Sequence, residues 1–140
     1  MQVSANQSPA LELNGTGTAN YNSFYDYIPT VIGTPDYNYS APSPGSSTFG
    51  FALAADADAS AVQLFRNSSN LCNQSNGVTS GDNCWYGFST SPLTVVNDST
   101  FTGGNTTETL AFRAQRTSST TSALESGNYT ATIIVTAYSN

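Results

Sequence analysis

The chain opens on a stretch whose apolar positions alternate. In QVSANQSPALELN, Val3, Ala5, Pro9, Leu11 and Leu13 take odd positions and Ser4, Asn6, Ser8 and Glu12 take even ones, with Gln7 the one polar break. Successive side chains of a strand point to opposite faces, so residues 2–13 read as a strand with one apolar and one wet face. NGTGTAN (14–20) then loosens the chain with two glycines and reads as a linker. Tyr21, Phe24, Tyr25, Tyr27 and Ile28 follow without clean alternation, which predicts a bulged strand that ends at Pro29. Residues 34–47 carry Pro35, Pro42 and Pro44 and read as a surface loop. Phe49, Phe51 and Leu53 share one face of a strand over 47–55. Residues 56–67 fit a helical turn or a strand end. CWYGFSTS (84–91) places Trp85 beside the expected Cys72–Cys84 disulfide as part of a core cluster, a short strand follows at 93–97, and Leu110, Phe112 and Ala114 mark another over 107–116. The strongest signal is last: Tyr129, Ala131, Ile133, Val135 and Ala137 alternate with mostly threonine over 128–139.

About seven strands and at most one short helix predict an all-β fold, an antiparallel Ig-like or jelly-roll-like β-sandwich. A chain of 140 residues is one domain by size. It divides into a first strand and hinge at 1–20 and a sandwich over 21–140. No apolar run is long enough to span a bilayer. MQVSAN has neither a basic start nor a hydrophobic stretch, so a secreted form would be the mature chain.

Charge narrows the function. Lysine and histidine are absent, Arg66, Arg113 and Arg116 are the only basic side chains, and nine carboxylates bring the net charge to −6. Such a surface cannot neutralise phosphate or anionic headgroups, so neither nucleic acid nor membrane insertion is expected. Without His or Lys there is no ordinary base for a Ser or Cys nucleophile and no Schiff base. Asp56, Asp58 and Asp82 would be the material of a carboxylate pair or a calcium site, but Asp58 reads better as a helix cap or turn residue. The chain is not expected to be an enzyme, and it implies no metal and no cofactor.

Cys72 and Cys84 flank a polar, turn-rich segment, and two cysteines without histidine cannot build a zinc site. A structural disulfide is the expectation, and with it an oxidising, extracytoplasmic location. Asn6, Asn14, Asn38, Asn67, Asn73, Asn97, Asn105 and Asn128 each begin an N-x-S/T triplet. That is about twice what chance gives at this composition. It points to an N-glycosylated protein, whose glycan would keep a charge-poor surface wet. The aromatic stretch 21–28 together with Tyr37 and Tyr39 suggests a stacking platform for sugar, although aromatics also fill cores and interfaces.

Two partners fit the first strand. It can join its own sheet, beside the last strand, or it can enter the sheet of the next subunit. An added strand satisfies a sheet edge with its backbone and fills pockets with alternate side chains. A head-to-tail contact of that kind makes a filament.

VSANQSPALELN at the start and ESGNYTATIIVTA at the end look like the first and last strands of small secreted β-sandwich proteins of prokaryotic surfaces. The middle, FALAADADASAVQLFRNSSNLCN to DNCWYGFST, is similar to surface proteins of that kind with one disulfide. The plan resembles archaeal thread and bundling-pilus subunits and the TasA-type fibre proteins. That resemblance implies polymerisation by donation of an N-terminal strand.

The expectation is therefore an extracellular or cell-surface filament subunit serving adhesion or biofilm cohesion. Val3, Ala5, Leu11 and Leu13 would be the inserted side chains, and Ile133, Val135 and Ala137 would belong to the acceptor groove. Its partners would be further copies of itself and, secondarily, a surface polysaccharide. The alternative is a monomeric secreted carbohydrate-binding or adhesive module.

Overall fold

In a computed structural model the described residues are 1–13, 23–40, 46–53, 61–65, 72, 84–97, 108–116 and 124–138. The hinge 14–20 and the acidic residues Asp56, Asp58 and Asp82 lie outside them. Nine strands make two sheets among the described residues, and the only helical element there is one 3-10 turn at Gln63–Phe65. The fold is an all-β sandwich.

The long alternating segments at both ends of the chain each break into two strands. The first gives β1 (Gln2–Ala5) and β2 (Leu11–Leu13). The last gives β8 (Tyr129–Thr130) and β9 (Ile133–Thr136). Between them come β3 (Ser23–Asp26), β4 (Ser47–Leu53), β5 (Tyr86–Gly87), β6 (Leu93–Thr94) and β7 (Leu110–Arg116). The small sheet runs β6-β1-β9. The large sheet runs β5-β4-β3-β2-β8, with β7 on the other edge of β4. Every pairing is antiparallel except β3 with β4.

The two ends of the chain therefore travel together. β1 pairs β9 in the small sheet and β2 pairs β8 in the large one. This antiparallel ribbon crosses from one layer to the other at residues 6–10 and 131–132. Strands that switch sheets need a bend, and that requirement explains why neither end is one continuous strand.

The inner faces meet in an apolar core of Val3, Ala5, Phe49, Phe51, Leu53, Phe88, Val95 and their neighbours. Phe88 packs between Phe49 and Phe51, with ring centroids 5.0 and 4.9 Å away. The alternation over 47–53 places Phe49, Phe51 and Leu53 inward, as expected. The opposite face of β4 is covered too. There Tyr27, Tyr39 and Trp85 pack on Ala52 in a second cluster. Trp85 thus lies across the sheet from the disulfide core rather than in it.

The 27–40 loop that carries this cover is pinned by a buried carboxylate. Asp36 accepts from the Tyr27 hydroxyl at 2.5 Å, the Thr30 hydroxyl at 2.5 Å and the Thr30 backbone N–H at 2.8 Å. Its own backbone exchanges two hydrogen bonds with Trp85, of 3.0 and 2.6 Å. Between these anchors Val31 and Thr34 close a tight turn, with Gly33 at φ 84° in the left-handed region that glycine adopts without cost.

Candidate functional site

β1 lies in the middle of the small sheet, although it is the first element of the chain. Its register against β9 is Gln2↔Thr136, Val3↔Val135, Ser4↔Ile134 and Ala5↔Ile133. Against β6 it is Gln2↔Thr94 and Val3↔Leu93. The Asn6 N–H donates to the Thr132 carbonyl at 3.3 Å, and the Ala5 N–H donates the opposite way, to the Ser89 carbonyl at 2.9 Å. Even residues of β1 thus bond towards β9 and odd residues towards β6. Among the described residues, β1 is the only strand that joins β6 to β9.

Val3 and Ala5 are each only 2% exposed, and Leu13 is also buried. Leu11 is half-buried and packs against the core. The proposed inserted side chains therefore all face inward, split between two sheets. Burying a valine of this kind is worth roughly 1.5–3 kcal/mol. Ser4 departs from the expected wet face: it is buried as well. Beneath β1 a cavity of about 200 Å³ opens beside Val3, Phe51, Tyr86, Pro92 and Leu93.

The corner between β1 and β2 is held by Asp26, at the end of β3. Its carboxylate accepts from the Ser8 hydroxyl at 2.5 Å and from the Ala10 N–H at 3.0 Å. Burial pushes its pKa up, and those two hydrogen bonds pull the other way. Sequence reasoning missed Asp26, because nothing local says that a strand-end aspartate serves a corner sixteen residues upstream.

On the acceptor side, Ile133 stands opposite Ala5 and is half-buried, as a groove residue would be. Val135 stands opposite Val3 but is 50% exposed, and Ala137 lies beyond the strand and is exposed. β9 is the end strand of its sheet, and among the described residues it pairs on the β1 side alone. The pattern of alternation could not show this, because it does not distinguish an edge strand from a central one.

Of the tyrosines offered as a sugar platform, Tyr27 and Tyr39 are buried and stack on each other, 4.3 Å between centroids. The Tyr39 ring also meets Trp85 edge-on and carries the Arg113 guanidinium at 4.8 Å. Tyr37 packs on the core and Tyr25 is exposed, while Tyr21 lies outside the described residues. Among the sequon asparagines, Asn6, Asn97 and Asn128 are exposed and Asn38 is half-buried. Asn14, Asn67, Asn73 and Asn105 lie outside the described residues.

Cys72 and Cys84 form a disulfide, with Cα atoms 5.5 Å apart. No described helix is long and apolar enough to cross a membrane. Both facts are compatible with a secreted protein. No protein-family model, curated protein or solved structure matches the chain.

Proposed function

We propose that this protein is the structural subunit of an extracellular filament whose subunits exchange their first strand. The observation that carries this reading is the position of β1. β1 fills the gap between β6 and β9, and among the described residues no other strand joins those two. Exchange of residues 2–13, β1 together with β2, between copies would reproduce every contact they make at home, so swapping costs little beyond opening the corner and the linker. The two glycines of NGTGTAN suit such a hinge. Head-to-tail exchange leaves one acceptor and one donor free at the two ends and so propagates. The disulfide and the sequons support a durable, glycosylated extracellular thread, with adhesion or biofilm cohesion as its service.

The pairing can be trapped. Ala5 and Ile133 face each other in a pair that does not share hydrogen bonds, where the Cα atoms approach to about 4.5 Å. That separation is within disulfide reach. In concentrated, assembled protein carrying Ala5→Cys and Ile133→Cys, oxidation should give a ladder of covalent multimers on a denaturing gel. A single band of cross-linked monomer at all concentrations would place β1 at home and end the proposal.

A further inference from the structure

The cavity beneath β1 opens on one inserted side chain. Of Val3, Ala5, Leu11 and Leu13, only Val3 lines it. Folded interiors leave few voids larger than a water molecule. This one holds about 200 Å³, more than the roughly 150 Å³ that accepts a benzene ring in an apolar core. It reaches the core itself, since Val3 is 2% and Phe51 1% exposed. Val3 stands opposite Leu93 of β6, and Leu93 lines the cavity beside it.

The lining suits an apolar guest. Phe51, Tyr86, Pro92 and Leu93 supply carbon surface. Two polar groups at the rim are already paired: the Ser91 N–H donates to the Ser89 hydroxyl at 3.0 Å, and the Ser89 carbonyl accepts the Ala5 N–H at 2.9 Å. Valine ends one carbon beyond its Cβ and leaves this space unfilled, so the cavity lining forfeits contacts. Isoleucine keeps the branched Cβ that suits a strand and extends one carbon further.

We infer that this cavity is the specificity pocket of the groove between β6 and β9, that it takes a longer aliphatic side chain in preference to Val3, and that Val3 thereby keeps β1 replaceable. The role in exchange rests on the function proposed above, whereas the pocket itself does not. A strand with isoleucine at this place buries one more methylene, a preference of about two- to fourfold. In a filled core the same methylene would be overpacked and the sign would reverse. The native valine leaves that affinity unused. A seated strand can therefore be displaced by another, which is what a subunit needs if it is to exchange strands.

Two synthetic peptides of residues 2–13, one native and one carrying Val3→Ile, are added together in excess to the full-length protein. Peptide retained with the protein after gel filtration is quantified by mass spectrometry. Because strands outnumber grooves, each groove chooses between the two. The Val3→Ile peptide should be enriched about two- to fourfold. Equal retention, or enrichment of the native peptide, spares strand exchange and overturns the pocket. Full-length Val3→Ile and Val3→Leu proteins give a second reading: their urea midpoints should lie above that of the native chain, and midpoints unchanged or lowered in both overturn the inference. If neither peptide is retained, strand exchange fails and Val3 has no part in it, and the midpoints then decide the pocket alone.

Discussion

Asp36 has no exposed surface, and the Tyr27 hydroxyl that donates to it is held protonated. Burial first, and then that hydrogen bond, push the Tyr27 phenol from its usual 10 up to about 12. A raised folded pKa contributes stability that is complete below the unfolded value and is lost as pH rises through the folded one. The protein should therefore lose stability between about pH 10 and 12, and Tyr27→Phe should flatten that limb of a denaturant-midpoint profile while lowering stability at neutral pH. Asp26 bears on the proposed strand exchange more directly, because it ties the Ser8–Ala10 corner to β3. Asp26→Ala removes two charge-assisted bonds and should cost about 1–3 kcal/mol in urea unfolding. It should also speed strand exchange, read as faster transfer of fluorescence between labelled subunits.

At the scale of elements, β5 shows how closely the loop over the large sheet is seated. A Cβ at Gly87 would overlap the backbone carbonyl of Tyr27, and one at Gly50 would lie 2.8 Å from the Tyr27 Cβ and 2.9 Å from the Tyr86 carbonyl. Gly87→Ala should force β5 and the 27–40 loop apart, costing about 1–3 kcal/mol by thermal or urea melting. The same loop holds Ile32 at the apex of its turn, 91% exposed and flanked by the exposed Ile28 and Val31. Its order comes from Asp36 and Thr30 rather than from burial of these isoleucines.

For the whole molecule, the first twelve residues after Met1 hold both layers together, since β1 and β2 each lie between two other strands. A chain lacking residues 2–13 should form no polymer, and its uncovered core should make it poorly soluble. Adding a synthetic peptide of residues 2–13 should restore the near-ultraviolet circular dichroism of the packed aromatic core. The same peptide with Val3→Asp should fail, because a carboxylate would enter a site that is 2% exposed without a partner. Recovery with both peptides equally would show that β1 does not insert through Val3.

The all-β class, the inward faces of β4 and of the first segment, and the cysteine pairing were legible in the sequence. Each rests on local alternation or on there being only two cysteines. Inward-facing Val3, Ala5, Leu11 and Leu13 were legible for the same reason. The break of each terminal segment into two strands was not, because a bend between layers depends on where the second sheet lies. Nor was the burial of Tyr27 and Tyr39, since an aromatic side chain looks the same in sequence whether it covers a sheet or faces a ligand. Which strand is central and which is an edge was decided by tertiary structure alone. Alternation specifies faces, one strand at a time. Only the pairing of distant segments settles which backbone groups are satisfied, as β1 satisfies those of both β6 and β9.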